Sequence, residues 1–227
     1  MTKKLPDLKA VFLLGTLKPS PKFSHTDVLC QFLTEYFKEH KTKSEIIRLA
    51  DYRIVPGVET HMGKDDWPGI LKKILQADII IFATPIWWGI QSSLLQRVIE
   101  RLDALNDELL ETGKSELANK VGGIVVTGAE DGAQHAIGNL CNFMVWNGLT
   151  MPPACSLSWL GDASKDSKKT LLEKFHKNVS TNSMAKTMAR NLTFFARLLR
   201  ENHIPQEGGG ISQNIAPGTV GLRGNKS

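Results

Sequence analysis

Two neighbouring tryptophans after an apolar run are the side chains in this sequence with the clearest chemical use. Trp87 and Trp88 follow Pro85 and come directly before Gly89. An indole presents a flat apolar face, and a glycine lets the backbone come close to a planar ligand. The alternative, that both indoles are core or interface residues, is the more frequent role of such a pair. The position in a turn flanked by proline and glycine favours a binding site for a planar ring.

The residues around this turn predict a strand, a turn and a helix in one unbroken run. Ile79 to Ala83 is short, apolar and rich in β-branched residues, as strands covered on both faces are. Pro85 has no N–H for a ladder and ends the strand, and apolar residues then recur at helical spacing from Leu94 to Leu105. Open α/β sheets bind ligands at the carboxyl ends of their strands. The candidate contacts in this turn are Thr84, Pro85, Ile86, Trp87, Trp88 and Gly89.

A polar, cationic loop separates the first predicted strand, Lys9 to Gly15, from a helix that begins near Thr26 or Asp27. The N-terminus of a helix has free N–H groups and a positive dipole end, which favour a phosphate. The candidate phosphate ligands are Thr16, Lys18, Ser24, His25 and Thr26. Ordinary helix capping explains the hydroxyls at these positions equally well. The loop holds neither a G-x-G-x-x-G nor a Walker pattern, so it predicts the phosphate of a mononucleotide.

A third loop follows the predicted strand from Lys120 to Gly128. Two glycines around a pair of acids make a loop that can turn its amides toward the edge of a ligand. The candidate contacts here are Thr127, Gly128, Ala129, Glu130, Asp131 and Gly132. A simple connection between a strand and a helix, predicted from about Gln134 to Asn147, explains the same residues as well.

The composition narrows the class of protein. A chain of 227 residues with 41% hydrophobic content suits one domain with a sizeable core and an extra segment at one end. The net charge is +5, but no Lys/Arg run is interleaved with aromatics, which favours anionic small molecules over nucleic acid as partners. Three distant cysteines support neither a disulfide framework nor a zinc or iron–sulfur site. The chain has no apolar signal core and no apolar run approaching about 18 residues, so we expect a cytoplasmic protein without a membrane partner.

The remaining segments complete an alternating pattern of strands and helices. They are strands at Glu45 to Leu49 and Met151 to Leu160, an irregular stretch at Asp51 to Asp66, and helices at Trp67 to Gln76 and Lys168 to about Asn202, with a possible break at Ser180 to Ser183. The irregular stretch is either a lid or padding, and its lone His61 is not expected to be a ligand. Five strands at this spacing predict an α/β fold with an open parallel sheet and helices on both faces.

In the flavodoxin-like arrangement of such a sheet, with strand order 2-1-3-4-5, the three loops share one crevice where FMN binds. We expect residues 1–203 to form this domain with C-terminal helices. Residues 204–227 form a Gly-rich tail that is either mobile or in contact with another subunit.

The motifs resemble those of one known family. The segment T-P-I-W-W-G-I-Q-S-S-L-L-Q-R-V-I-E-R, from Thr84 to Arg101, is similar to the S/T-P-x-Y/W-W-G-x-x-S-x-x-x-K-x-F-x-D-R pattern of the flavodoxin-like NAD(P)H-dependent FMN reductases, which include the multimeric quinone-reductase flavoproteins. Ser24 to Thr26 resembles that family's S-N-T phosphate signature, and Thr127 to Gln134 resembles its T-G-x-x-G-G-Q loop. The resemblance covers roughly Lys9 to Leu160. The chain departs from the pattern in having extra residues at Pro19 to Phe23, His25 for Asn, Gln96 for Lys and Ala133 for Gly.

This resemblance implies FMN as the cofactor, NAD(P)H as the electron donor and a quinone or similar small molecule as the acceptor. It also implies a homo-oligomer, a dimer or tetramer. The first loop would hold the phosphate, Pro85 to Gly89 would cover the ring, and the amides of Gly128 to Gly132 would meet its pyrimidine edge. No catalytic acid or nucleophile is expected, because the cofactor performs the redox chemistry. Two alternatives stay open, a flavodoxin-type electron carrier serving a protein partner and a flavin-free interaction domain on the same fold.

Overall fold

A computed structural model describes residues 7–129 and 131–206 of the chain. Its strands form one parallel sheet in the order β2-β1-β3-β4-β5. The strands are Leu8–Leu14 (β1), Thr42–Arg48 (β2), Ile79–Pro85 (β3), Val121–Gly128 (β4) and Ser156–Leu160 (β5). The helices are His25–Glu39 (α1), Trp67–Gln76 (α2), Ser93–Leu102 (α3), Asn106–Thr112 (α4), Ala133–Trp146 (α5), Lys168–Lys177 (α6) and Val179–Glu201 (α7). The predicted flavodoxin-like fold class and strand order are confirmed.

Alternation along the strands places a separate apolar core on each face of the sheet. Phe12 and Ile81 face the core shared with α1, α6 and α7, while Leu13 and Phe82 face the core shared with α2, α3 and α5. Each fully buried side chain of this size contributes about 1.5–3 kcal/mol. Burial on both faces explains why the central strands are continuous apolar runs.

Hydrogen bonds join the loops at the carboxyl edge of the sheet. The Gly15 amide donates to the Ala83 carbonyl at 2.7 Å, just beyond β1. The Ile86 amide donates to the Thr127 carbonyl at 2.8 Å, where β3 and β4 end. Because all five strands are parallel, the three predicted site loops leave the sheet along this one rim.

Two predicted strand boundaries are wrong. Strand β5 begins at Ser156 and not at Met151, since its ladder to β4 starts only at the pair Ile124 and Ser156, after Ala154 in the left-handed region at φ 57°. Strand β2 begins at Thr42 and not at Glu45. Its first half is mostly exposed and polar on the outer strand of the sheet, so no apolar pattern marks it.

The C-terminal helical region is divided into two helices, as predicted, but the division lies at a different residue. The break falls at Asn178, whose side chain caps α7 by accepting from the Thr181 amide at 2.9 Å, and not at Ser180 to Ser183.

Helix α4 was not expected from the sequence. It ends at Gly113, whose φ of 71° is a left-handed conformation that glycine adopts readily.

The irregular stretch between β2 and α2 is held by two arginines of α3. The Arg101 guanidinium donates to the carbonyls of Val55 and Glu59, each at 2.9 Å. Arg97 donates to the carbonyl of Ile54 at 3.0 Å. Backbone carbonyls that no ladder could satisfy therefore gain charged donors, and the stretch is tied to α3.

Part of the predicted tail is described. Ile204 and Asn119 exchange two hydrogen bonds, and Gln206 exchanges two with the backbone of Ser115. Residues 207–227 lie outside the described residues, so the division at residue 204 stays a prediction. Within the part of the chain that the structure describes, no helix is both long and apolar enough to cross a bilayer.

Candidate functional site

The tryptophan turn is a tight two-residue hairpin. The Trp87 amide donates to the Ile90 carbonyl at 2.9 Å, and the Ile90 amide returns a bond to Trp87 at 3.1 Å. Trp88 has φ 49° and Gly89 has φ 80°, as the two central residues of a type I′ turn require. Glycine accepts this conformation freely, but a bulky residue such as Trp88 does so at a cost in backbone strain.

Both indoles are available to a ligand. Trp88 is 100% exposed and Trp87 is 50% exposed. With the loop after β4, the turn forms a cleft of about 630 Å³, which lies within the usual range for small-molecule sites. Its lining residues are Ile86, Trp87, Trp88, Gly89, Ala129 and Asp131. The alternative that the tryptophans are core residues is therefore wrong for this chain, while a place in a subunit interface stays a prediction.

Glycines allow the turn and the β4–α5 loop to touch. A Cβ added to Gly132, whose φ is 96°, would lie 2.8 Å from the Gly89 Cα. A Cβ added to Gly128 would lie 2.7 Å from Cδ1 of Ile86. At Gly132, whose neighbour is backbone, only a residue without a side chain permits this approach, whereas at Gly128 a larger residue would require the Ile86 side chain to move. Glu130, which the sequence places in the same loop, lies outside the described residues.

A hydroxyl of the loop before α1 caps that helix, as the capping explanation of these hydroxyls predicted. Ser24 is the N-cap residue, and its Oγ accepts from the Asp27 amide at 3.4 Å. Its own hydroxyl proton stays available as a donor. Thr16 is buried, and its Oγ1 accepts from the Lys18 amide at 3.4 Å. Capping and ligand binding are therefore compatible at Ser24.

This loop is fixed from outside by two residues that the sequence analysis did not single out. Arg48, at the end of β2, donates to the carbonyls of Lys18 at 3.3 Å and Lys22 at 2.9 Å. Asp51 accepts from both the amide and the hydroxyl of Ser20, at 2.7 and 2.6 Å. The available signal was their place at the end of the predicted strand Glu45 to Leu49 and just after it, where parallel sheets carry functional residues.

Thr84 supports the tryptophan turn from below. Its hydroxyl donates to the Pro85 carbonyl at 2.8 Å and accepts from the Ser92 amide at 2.9 Å. Thr84 is fully buried, and its single donor is used inside the turn. A contact between this side chain and a cofactor stays a prediction, while its structural role is direct.

His25 connects the first loop with a fourth one. Its ring lies edge-on to Phe23 at 5.1 Å between centroids. Burial lowers the pKa of His25 most, and the nearby Lys18 lowers this pKa further. A hydrogen bond with the Ala163 backbone and the charge of Asp166 oppose this effect. The loop after β5 therefore reaches the rim too, a contribution that the three-loop prediction missed.

One hydrogen bond joins the predicted phosphate loop to the predicted ring loop. Thr26 Oγ1 lies 2.7 Å from Thr127 Oγ1, across 101 positions of sequence. The structure thus brings the start of α1, the β4–α5 loop and the tryptophan turn to one place, as predicted. Lys18 lies close enough to His25 to lower its pKa.

These residues fit a flavin mononucleotide. The exposed indoles and the glycine contacts suit a planar ring, and the hydroxyls and cations at the start of α1 suit a phosphate. Among residues 7–129 and 131–206, no group of three or more His, Cys, Asp or Glu side chains could hold a metal ion. The contacts of the individual site residues with the flavin stay predictions.

Known proteins resemble this chain over most of its length. The family model described as NADPH-dependent FMN reductase matches residues 8–161. The 8-demethyl-8-aminoriboflavin-5'-phosphate synthase of Streptomyces davaonensis is 30% identical over 204 residues, covering 86% of this chain and 79% of that protein. A crystal structure of RosB with bound 8-demethyl-8-formylriboflavin-5'-phosphate has 30% identity and a TM-score of 0.72, with coverage of 86% and 81%.

A further relative is much longer than the matched region. The divalent metal cation transporter MntH of Mycobacterium bovis is 37% identical over 161 residues, which is 69% of this chain but 24% of that protein. The chain therefore spans about a quarter of that relative, and the relative's name describes a protein that extends well beyond the match.

The resemblance inferred from the sequence motifs is confirmed. The match of residues 8–161 agrees with the predicted extent from Lys9 to Leu160. The predicted enzyme class, with FMN as cofactor and NAD(P)H as donor, is confirmed at the level of the family. This chain belongs to the NADPH-dependent FMN reductase family.

Proposed function

We propose that this protein transfers electrons from NAD(P)H through bound FMN to a quinone or similar small acceptor. One observation carries the proposal: the tryptophan turn, the β4–α5 loop and the start of α1 meet at one rim beside an open cleft. Such a rim of a parallel sheet is where mononucleotide ligands bind. The openness of the cleft leaves room for a small acceptor beside the ring.

Each element has a distinct part in this proposal. The phosphate is held by the first loop, through Thr16, Lys18, Ser24, His25 and Thr26. One edge or face of the ring is covered by Pro85 to Gly89. The amides of Gly128 to Gly132 meet the pyrimidine edge. FMN supplies the electron-transfer chemistry when bound, and the chain supplies position, charge and access.

The test combines a binding measurement with an activity measurement. Purified protein should be yellow or take up added FMN, and it should oxidise NAD(P)H when a quinone is supplied. The double variant S24A/T26A should retain FMN more weakly, because two hydroxyl donors are lost. The matched control T34A removes a hydroxyl of α1 that donates to the Gln31 carbonyl within the same helix, and it should bind FMN normally. A colourless protein that ignores FMN would overturn the proposal.

An electron carrier for a protein partner ranks lower. Carriers of that kind tend to be acidic, whereas this chain has a net charge of +5. Steady NAD(P)H oxidation with a quinone and no partner reductase supports the enzyme. A requirement for a partner reductase supports the carrier, and the absence of flavin absorbance supports a flavin-free interaction domain.

A second candidate treats the flavin as substrate and not as cofactor. It is favoured by the similarity to a synthase whose name describes a modified riboflavin phosphate. In that case, FMN incubated with the enzyme, an oxidant such as O2 and an amino-group donor should change in mass, because replacing a ring methyl group by an amino group needs both. The flavin recovered from this incubation distinguishes the two: unchanged mass supports the cofactor, altered mass the substrate.

Assembly into a dimer or tetramer is part of the same proposal. Helix α5 ends with Val145 and Trp146, which are exposed, and Phe194 and Leu198 are exposed on α7. Large apolar side chains of this kind are often covered by a second subunit. The mass of the particle in solution tests this assembly. A monomer at the concentration used for the activity measurement would contradict it.

A further inference from the structure

Two buried hydroxyls face each other where the loop before α1 meets the loop after β4. Thr26 Oγ1 and Thr127 Oγ1 lie 2.7 Å apart, the usual length of a bond between hydroxyls. Thr26 is 2% exposed and Thr127 is 3% exposed. Bulk water therefore has little access to either group, and each depends on the protein or on a ligand for its hydrogen bonds.

Counting protons shows what the pair can still offer. A threonine hydroxyl has one proton to donate and two lone pairs that accept. The pair holds two protons, and the bond between the hydroxyls uses one of them. Among the residues that the structure describes, neither hydroxyl has a second hydrogen-bond partner. One buried proton is thus left without an acceptor, whereas buried donors normally have one.

The surroundings of the two hydroxyls decide which of them donates to an anion when one binds. Thr26 is the second residue of α1, after the cap at Ser24. The first turn of a helix favours an anion through its free amides and its dipole. Thr127 lies at the end of β4, and its carbonyl already accepts from Ile86. An anion at the start of α1 accepts a hydrogen bond from the Thr26 hydroxyl. The bond between the two hydroxyls is then donated by Thr127.

We propose that Thr127 is a positioning residue that acts through Thr26 and sets the preference for a phosphorylated flavin over one without phosphate. Its hydroxyl donates to Thr26 and thereby orients the Thr26 proton toward the phosphate. Donors that bond in series to a charged acceptor strengthen one another. The inference rests on the proposed binding of FMN, and it replaces the direct cofactor contact predicted for Thr127 with an indirect role.

The experiment compares FMN and riboflavin on the flavin-free protein, with quenching of flavin fluorescence as the readout. In T127V, FMN affinity should fall about tenfold while riboflavin affinity stays within about twofold, because riboflavin has no phosphate. T127S keeps the hydroxyl and should restore FMN affinity. In T26V, the further change T127V should have no effect on FMN affinity, since Thr127 acts only through Thr26.

The matched control is a second buried pair, Thr42 and Thr193, whose hydroxyls lie 3.4 Å apart away from the site. T193V should leave both affinities unchanged. Valine has the shape of threonine, so T127V should fold. If thermal unfolding shows otherwise, T127A carries the same expectation.

The outcomes separate this inference from the proposed function. Equal losses of FMN and riboflavin affinity in T127V, or additive effects of T26V and T127V, would overturn the inference and leave FMN binding intact. Wild-type protein that binds neither flavin would overturn both.

Discussion

Arg101 lies fully buried against Asp65, with its Nη1 2.5 Å from Oδ2 of a residue 36 positions earlier. Burial alone would raise the pKa of Asp65. The side-chain hydrogen bond from Arg101 and the amides of Val55 and Trp67 outweigh it, so this pKa lies below its usual value. The guanidinium also lies 5.4 Å from the ring centre of Trp67. One side chain of α3 thus satisfies a buried carboxylate and ties down the connection between β2 and α2.

Removing Arg101 should destabilise the protein strongly. R101M leaves the Asp65 carboxylate buried without its partner, which costs about 3–5 kcal/mol of unfolding free energy. Urea denaturation measures the loss. The control is K73M, since the Lys73–Glu45 pair is 2.6 Å long but exposed, and its loss should cost no more than about 1 kcal/mol. Equal effects of the two variants would contradict the role of Arg101.

Replacing Trp88 should stabilise the fold while weakening the site. In W88N, asparagine replaces a bulky residue in the left-handed conformation, which asparagine adopts more readily. The unfolding free energy should therefore rise by about 1 kcal/mol. The lost indole should raise the KM for a quinone severalfold. Y52N serves as the control, because Tyr52 is also a large exposed side chain but its backbone is extended, with φ −118°. A less stable W88N protein would contradict the strain argument.

Adding one methyl group at Gly132 should disrupt the contact between the two ring loops. In G132A the new Cβ meets the Gly89 backbone at a φ of 96°, so we expect a loss of about 1–3 kcal/mol and weaker FMN binding. G138A is the matched control on α5, where a Cβ meets nothing within 4 Å. That change should stabilise the helix by about 0.5–1 kcal/mol. Thermal unfolding and FMN titration of both variants decide the matter.

FMN affinity should depend on pH through His25. The pKa of His25 is lowered, first by burial and then by Lys18, so the free imidazole is neutral at pH 7. A phosphate beside it favours the charged form and raises its pKa, so binding takes up a proton. Affinity should therefore rise as pH falls from about 7 toward the lowered pKa of the free protein.

The variant H25N isolates this effect from the titration of the phosphate itself. The ratio of wild-type to H25N affinity should increase severalfold as the pH is lowered. Lys18 opposes the proton uptake, while Asp162 and Asp166 favour it. A ratio that does not change with pH would show that the imidazole does not sense the phosphate.

Much of the fold was predictable because its signals are local. The helix from Trp67 to Gln76 was predicted to the residue, since its apolar spacing and its neighbours mark both ends. The polar outer strand β2 and the short helix α4 carry no such periodicity. The start of β2 depends on a neighbour supplied by the fold, Leu8 beside Thr42. The end of α4 is marked locally by Gly113, but its seven residues are too few to show a helical apolar period.

By itself, the sequence determined the parallel α/β sheet, the three loops at its rim and the tryptophan turn. Apolar runs, prolines and glycines act on the backbone within a few residues, so a linear chain displays them. Only the tertiary structure decided that Thr26 bonds to Thr127, that Arg48 and Asp51 hold the first loop, and that His25 meets Ala163. Those pairs are distant in sequence, and their meeting depends on strand register and helix packing, which no local pattern encodes.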